Sequence, residues 1–308
     1  MADIVASSAA ARASGRTSLH KVMQRKSTIA FLMALPLILM IFILVAYPAG
    51  YAIWLSMLNK SMTKFVGFGN FDFLFKRATF WEIVLQSCIF AITAVIFKAI
   101  IGFVVAHFVN NIPTKGQRKW RGMLLVPWVI PAAMSTLSWL WLFDPSYSAF
   151  NWIFVHLGLP KISWLGEAGW ARFSVILVNV WIGAPFFLIM YLAALKSVPE
   201  QLYEAASIDG ATWWQRIWFV TLPMMRNIIA ITILFSTIVT FANFDIVRVL
   251  TAGGPLTATH VFATWAFKVG IESGDIPLGA TVSLFMVPIL AVAATFILRD
   301  ISKRGSEV

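Results

Sequence analysis

Charged residues are scarce in this chain. Only 12% of its 308 residues are Asp, Glu, Lys or Arg, whereas soluble domains carry about 25%. Hydrophobic residues make up 60% of the sequence. A soluble core does not need so much apolar surface, so the composition excludes an ordinary soluble domain and indicates an integral membrane protein.

Residues for catalysis and metal binding are also missing. The single cysteine, Cys88, excludes an intrachain disulfide and a cysteine metal cluster. The four histidines are scattered, and neither H-E-x-x-H nor G-x-S-x-G occurs. No G-x-x-x-x-G-K-[ST] sequence is present, so the chain cannot hold ATP in a P-loop by itself. We therefore expect a non-catalytic protein without a cofactor of its own.

Long hydrophobic segments predict an all-α fold with six transmembrane helices. The predicted spans are residues 29–57, 83–109, 123–143, 173–195, 227–244 and 278–298. All but the fifth exceed the roughly 20 residues that a bilayer requires. Several spans contain proline, which membrane helices tolerate where neighbouring helices or a lined cavity satisfy the freed carbonyls. This pattern favours a packed bundle around a pathway over a set of simple anchors.

The distribution of basic residues predicts the orientation of the spans. The N-terminal tail, the second loop, the segment after the fourth span and the C-terminal tail carry fifteen of the 24 Lys and Arg, and the opposite loops carry eight. By the positive-inside rule both termini are cytoplasmic. We expect a disordered tail at 1–26, a transmembrane domain at 27–300 and a short tail at 301–308. The net charge of +11 reflects this topology, since no basic run is interleaved with stacking aromatics as in a nucleic-acid-binding module.

Residues 197–223 form a polar segment between the fourth and fifth spans, here called the elbow. Ser197-Val198-Pro199-Glu200 has the form of a capping box, and Gly210 is suited to end the helix that follows. Thr212 and Gln215 form a second capping box, and Pro223 is expected to end the second helix. The sequence therefore predicts a helix–glycine–helix elbow.

The first elbow helix is predicted to be amphipathic. Its apolar face would carry Val198, Leu202, Ala205 and Ile208, and its polar face Glu200, Glu204 and Ser207. Two glutamates four residues apart repel by about 0.2–0.5 kcal/mol, which a basic docking surface would relieve. Interfacial helices usually carry Lys and Arg, and this one has neither. These residues alone leave two alternatives open, a docking surface for a soluble partner or a helix on the membrane surface.

The elbow resembles the EAA loop of permease subunits in binding-protein-dependent ABC importers. The match consists of Glu204, Ala205, Ala206, Gly210, Val220, Leu222 and Pro223. Further segments, at 65–71, 125–131, 141–145 and 244–255, are similar to the first permease subunit of the carbohydrate-uptake branch. Together the similarity covers about residues 27–300.

This resemblance implies a function and a set of partners. It implies six helices in the type I ABC importer arrangement, forming half of a translocation pore in the bacterial cytoplasmic membrane. The expected partners are a second homologous permease, two cytoplasmic ABC ATPase subunits that bind ATP and Mg, and an external solute-binding protein that delivers a di- or oligosaccharide or sugar derivative. The family's ATPase-coupling residues would be Glu204, Ala205, Ala206, Asp209, Gly210, Leu222 and Pro223.

Polar and aromatic residues in the fourth and fifth spans suggest a substrate pathway. Candidates are Asn179, Trp181, Asn243, Phe244 and Asp245, because sugars bind to aromatic platforms with amide and carboxylate partners. The alternative is that the amides hold helices together and the tryptophan belongs to the core or the interface. Lys98, inside the second span, could snorkel to the interface, pair with a partner's acid or contact substrate. Residues 253–255 predict an external turn, which the binding protein could contact.

A stand-alone secondary sugar transporter is the alternative class. Such carriers often show internal repeats, and no repeat relates residues 27–150 to 170–303. An acidic elbow would also lack a purpose in a carrier that works alone.

Overall fold

The computed structural model describes the backbone of residues 26–305 and the side chains of residues 29–299, except at position 114. Within these residues the fold is helical, and β-pairing is limited to one isolated bridge between Leu58 and Phe65. The predicted tail at 1–26 lies outside the described residues apart from Lys26, which begins the first helix. Residues 306–308 of the predicted C-terminal tail also lie outside them, and the last helix continues to Gly305.

The described helices follow one another with short connections. They are α1 (Lys26–Ile41), α2 (Tyr47–Ser56), α3 (Gly69–Phe75), α4 (Ala78–Asn110), α5 (Thr114–Leu124), α6 (Val126–Val129), α7 (Ala132–Leu142), α8 (Ala149–His156), α9 (Ala168–Ser197), α10 (Glu200–Ile208), α11 (Trp213–Arg216), α12 (Leu222–Phe241), α13 (Asp245–Leu250), α14 (Phe262–Phe267), α15 (Ile276–Leu284) and α16 (Met286–Gly305). Three π-helical turns, Phe42–Ala46, Ile217–Thr221 and Lys268–Glu272, interrupt this series.

Five of the six predicted spans correspond to helices long and apolar enough to cross a membrane. These are Ile29–Ser56, Ala78–Asn110, Ala168–Ser197, Trp213–Phe241 and Ile276–Arg299. The third predicted span, at 123–143, is not one continuous helix, since this segment contains the end of α5, the short α6 and α7. Ile130 adopts an extended conformation with ψ 134° because the ring of Pro131 disfavours a helical residue before it.

Pro223 does not end a helix, contrary to the prediction. The π turn Ile217–Thr221 joins α11 to α12, so that one helix runs from Trp213 to Phe241. The N–H of Leu222 bonds to the carbonyl of Ile217, which places Pro223 in the first turn of α12. This π turn already interrupts the regular i→i−4 hydrogen bonds just before Pro223, so the proline does not end the helix.

The chain divides into two compact units, one ending at Leu55 and one beginning at Ser56. The sequence predicted a single transmembrane domain at 27–300. The described part of the first unit is an apolar helix whose side chains, such as Met33, Phe42 and Leu44, are exposed.

The centre of the second unit is the packing of α4 against α9. The two helices approach closely at Gly102, where an added Cβ would lie 2.3 Å from Cβ of Phe187. Small residues permit such close approach between membrane helices. Tyr191 and Leu188 of α9 and Met225 of α12 complete a buried cluster beside this contact. The core therefore fixes α4, α9 and α12 relative to one another, and the elbow is attached to two of these helices.

Candidate functional site

The first elbow helix starts without the predicted cap. Ser197 is the last residue of α9, and its Oγ donates to the carbonyl of Ala194 at 2.8 Å. Pro199 takes the cap position of α10 and provides no side-chain hydrogen bond. The physical reason is that Pro199 forces Val198 into an extended conformation, with ψ 123°, so α9 persists up to that point.

Gly210 ends α10 as predicted. Its φ is +74°, in the left-handed region that glycine adopts readily. The N–H of Ala211 donates to the carbonyl of Ala206 at 2.9 Å, and the N–H of Gly210 donates to that of Ser207 at 3.1 Å. This pair of bonds is a Schellman motif, which satisfies the last carbonyls of the helix.

The second predicted capping box is confirmed. The N–H of Gln215 donates to Oγ1 of Thr212 at 3.4 Å, and the N–H of Thr212 donates to Oε1 of Gln215 at 2.7 Å. Arg216 closes the turn by donating to the carbonyl of Ala211 at 3.2 Å and to Oγ of Ser207 at 3.1 Å. The two arms of the elbow are thus tied together by side chains from both.

The elbow is held against the bundle by one buried side chain, Val198, and one hydrogen bond, and a further polar contact joins its two arms. Val198 is buried, and the hydroxyl of Tyr203 lies 3.0 Å from Oγ1 of Thr221. The indole nitrogen of Trp213 donates to Nε2 of His107, in the last turn of α4, at 3.2 Å. Because indole is only a donor, this nitrogen of His107 is unprotonated and the proton of the neutral ring is on Nδ1. Sequence reasoning missed this pair, since the residues lie 106 positions apart.

The outer face of the elbow is acidic and partly apolar. Ile208 is 87% exposed and Leu202 is 39% exposed. Of the predicted coupling residues, Glu204, Ala205, Asp209, Gly210 and Pro223 are exposed, and Ala206 and Leu222 are half-buried. Two ion pairs occur within the described residues, Lys76–Asp72 and Arg248–Glu272. Neither involves Glu200 or Glu204, so these two carboxylates have no cationic partner among the described residues. An accessible acidic surface beside apolar side chains is what a docking elbow requires.

The side-chain oxygens of the two candidate asparagines are buried and, within the described part of the chain, unpaired. Asn179 in α9 is 4% exposed. Its Oδ1 and that of Asn243, just after α12, have no hydrogen-bond partner among the described residues. Buried amide oxygens are normally paired, so each unpaired one needs a physical explanation. Hydrogen bonding of these oxygens to neighbouring helices, the alternative interpretation, is not observed.

The other candidates for the substrate pathway lie in different surroundings. Trp181 meets Trp139 edge to face at 5.5 Å and lines an apolar groove of about 330 Å³ with Met123, Pro127 and other apolar residues. The ring of Phe244 lies 5.2 Å from that of Phe267. Asp245 is exposed in the first turn of α13, where a carboxylate stabilises the helix by interacting with the positive end of its dipole.

Lys98 connects three helices in the bundle. Its side chain is buried, and Nζ donates to Oγ1 of Thr240 in α12 at 2.9 Å. The aliphatic part of the Lys98 side chain passes over Gly183 of α9. A Cβ added to Gly183 would lie 2.8 Å from Cδ of Lys98. Lys98 therefore does not snorkel to the interface. Asn179 precedes Gly183 by one helical turn, and Asn243 follows Thr240 by three residues.

The predicted turn at 253–255 is present and rigid. Gly253 has φ +91°, and the ring of His260 occupies the space beside it. The hydroxyls of Thr251 and Thr259 lie 2.7 Å apart, and Thr259 also donates to the carbonyl of Gly254. Burial, together with the charge of Lys268, lowers the pKa of His260 to about 4. The neighbouring Leu256 is 94% exposed, so this turn presents an apolar side chain at its tip.

The chain is similar to known transport proteins. Residues 98–305 match the family model described as binding-protein-dependent transport system inner membrane component. The chain is 32% identical to the trehalose/maltose transport system permease protein MalF of Thermococcus litoralis, over 86% of this chain and 90% of that protein. It is 28% identical to the sulfoquinovosyl glycerol transport system permease protein SmoG of Agrobacterium fabrum, over 87% and 89%.

Solved structures of transporters are also similar to this chain. A chain of a bacterial ABC transporter involved in the import of the acidic polysaccharide alginate superimposes with a TM-score of 0.80 and 25% identity, over 93% of this chain and 99% of that one. A chain of the MetNI methionine ABC transporter shares the fold alone, with a TM-score of 0.52 and 18% identity over 72% and 96%. This chain therefore belongs to the family of binding-protein-dependent transport system inner membrane components.

Proposed function

We propose that this chain is the pore-forming permease subunit of an ATP-driven importer that receives a sugar from an external binding protein. The observation that carries the proposal is the elbow, a rigid and exposed acidic surface at one end of a transmembrane bundle. The similar permeases named for trehalose/maltose and for sulfoquinovosyl glycerol support a saccharide or a sugar derivative as the substrate.

The elbow would dock on an ABC ATPase and transmit its closure. A basic site on the ATPase would relieve the repulsion between Glu200 and Glu204. The second arm of the elbow continues without interruption into α12, whose far end carries Thr240 and its contact with Lys98. A displacement of the elbow would therefore reach the bundle interior through one helix.

The same proposal defines the assembly. Two ATPase copies would bind ATP and Mg, a second homologous permease would complete the pore, and the turn at 253–255 would face the binding protein. The membrane would be the bacterial cytoplasmic membrane, with both termini and the elbow on the cytoplasmic side. The exposed apolar residues of the second unit, such as Ile92, Phe97 and Ile100 on α4, support burial against lipid or another subunit.

The assembly is tested by purification and reconstitution. The chain isolated from its native membrane should carry a second homologous permease and two ATPase subunits per particle, measured by native mass spectrometry. Sugar uptake into liposomes should need the complete complex, the binding protein and ATP. Uptake by this chain alone without ATP would instead identify a stand-alone transporter.

The substrate pathway would pass the polar junction of α4, α9 and α12. The ammonium of Lys98 has donors beyond its bond to Thr240, and the oxygens of Asn179 and Asn243 are free to accept from sugar hydroxyls. Trp181, Phe244 and Asp245 would contribute aromatic and carboxylate contacts along the same route.

Substitution of Asn243 tests the pathway. Asn243→Ala should lower transport several-fold while the melting temperature and the basal ATPase activity stay unchanged, because its oxygen bonds no neighbouring helix. Asn227→Ala, which removes an exposed amide on α12, the helix that precedes Asn243, is the matched control. A lower melting temperature with unchanged transport per folded complex would show that Asn243 only holds helices together.

A further inference from the structure

The short helix α5 is fixed to the ends of two long helices. It begins four residues after α4 ends, at the end of α4 that contacts the elbow through His107 and Trp213. Gln117 is on the buried face of α5 and donates through Nε2 to the carbonyls of Asn110 and Ile112 at 3.1 and 2.8 Å. Its Oε1 accepts from Nζ of Lys196, at the end of α9, at 2.8 Å. These bonds determine which face of α5 points away from the bundle.

The outward face of α5 is basic. Lys115, Arg118 and Lys119 are exposed, and their spacing of three and four residues places them side by side on one face. The helix contains no acidic residue, and the two ion pairs of the described residues do not involve it. Three neighbouring cations repel one another, so this face favours an anionic partner.

The same helix exposes apolar side chains beside the basic ones. Trp120 is 48% exposed and Met123 is 56% exposed. Tryptophan is typical of the boundary between lipid chains and water. A helix that carries lysine and arginine on one side and tryptophan on another is typical of the plane of the membrane interface. The apolar segment that begins at Leu125 follows α5 directly, which puts α5 at the end of a predicted span.

We infer that the basic face of α5 binds the headgroups of anionic phospholipids. The three basic side chains would contact lipid phosphates, while Trp120 and Met123 enter the upper part of the acyl-chain region. The exposed Trp120 and the position of α5 at the end of α4 favour a lipid over an acidic protein surface. Binding by three basic residues changes the affinity for an anionic surface on the order of a hundredfold, and salt screens it.

The test uses the full-length protein with whatever subunits copurify. The variant Lys115→Gln/Arg118→Gln/Lys119→Gln is compared with Lys60→Gln/Lys64→Gln/Lys161→Gln, which removes three exposed cations from the loops predicted to be external. Each protein is placed in nanodiscs of phosphatidylcholine with increasing phosphatidylglycerol. Retained lipid is counted by native mass spectrometry, and the melting temperature is measured at low and high salt.

We expect wild type and the Lys60/Lys64/Lys161 variant to retain phosphatidylglycerol in preference to phosphatidylcholine. Their melting temperatures should rise with the fraction of phosphatidylglycerol in the nanodisc. High salt should remove both effects. The α5 variant should lose the preference. The charge-preserving variant Lys115→Arg/Arg118→Lys/Lys119→Arg should keep it, and single neutral variants should weaken it stepwise if the triple variant does not fold. Equal lipid retention by the two neutral triple variants would overturn the inference. Unchanged lipid retention with loss of a copurifying subunit would assign the face to a protein partner instead.

Discussion

The hydrogen bond between Trp213 and His107 connects the elbow to the bundle through two side chains. The indole donates to Nε2 of His107 at 3.2 Å, and the two rings meet at 70°. Trp213 is the first residue of the helix that runs to Phe241. The pair therefore determines where that helix starts relative to α4.

Removing either partner should loosen the elbow. Trp213→Phe and His107→Phe each keep an aromatic ring and delete one side of the bond, so each should cost about 0.5–1.5 kcal/mol. The double variant should cost less than the sum, because the second change removes a bond that is already lost. The measurement is the thermal stability of the complex together with its coupled ATPase activity.

Two further variants make this prediction specific. His107→Gln keeps an acceptor and should restore part of the coupling that His107→Phe loses. Trp218→Phe, at an exposed position of the same helix, should have little effect on either quantity. Additive costs in the double variant would mean that the two residues act independently.

Lys98 shows which residue-level features the sequence could indicate. A cation within an apolar span is unusual enough to be identified as functional without a structure. Its actual partner, Thr240, lies 142 positions away, and the space for its stem depends on a glycine in a third helix. The packing of α4, α9 and α12 brings these residues together, and no local pattern encodes it.

At the scale of elements, local motifs were predictable wherever neighbouring residues alone decide the outcome. The Schellman turn at Gly210 and the box formed by Thr212 and Gln215 are such cases, and both are confirmed. The effect of proline on a helix was harder to predict, since it depends on where the hydrogen bonds of the helix backbone are already interrupted. Pro223 follows a π turn and ends nothing, whereas Pro131 breaks a segment that hydropathy alone predicted to be one helix.

The turn between the two elbow arms should tolerate only a residue that adopts positive φ. Gly210→Pro should bring substrate-stimulated ATP hydrolysis down to the basal rate, because proline fixes φ near −65° and the Schellman turn needs the opposite sign. A residue held in an unfavourable backbone region costs about 1–3 kcal/mol, and at this position the turn would open instead. The measurement is ATPase activity with and without the loaded binding protein.

Gly158 offers a matched control for this substitution. Its φ is also +74°, and a side chain there would likewise meet open space. Gly158→Pro should therefore carry a similar backbone cost and leave the coupling intact, since it follows α8 and lies far from the elbow in sequence. Equal loss of coupling in both variants would indicate general destabilisation rather than a role of the elbow.

At the scale of the whole molecule, the bundle separates two kinds of surface. The elbow, with its free carboxylates, lies at one end of the continuous helix from Trp213 to Phe241. The rigid turn at 253–255 follows the other end of that helix. Under the proposed function, binding of a solute outside and hydrolysis of ATP inside would be coupled through the bundle.

This separation predicts a specific loss of coupling when the charge of the elbow is reversed. Glu204→Lys puts a cation against the basic site expected on the ATPase and should abolish substrate-stimulated ATP hydrolysis and uptake. The affinity of the binding protein for its sugar should stay unchanged, because the elbow is proposed to lie on the cytoplasmic side of the membrane, away from that protein. Glu167→Lys, an equally exposed charge reversal just before α9, should leave uptake and hydrolysis at wild-type levels. Normal stimulation in Glu204→Lys, at normal assembly, would show that the ATPase docks elsewhere on this chain.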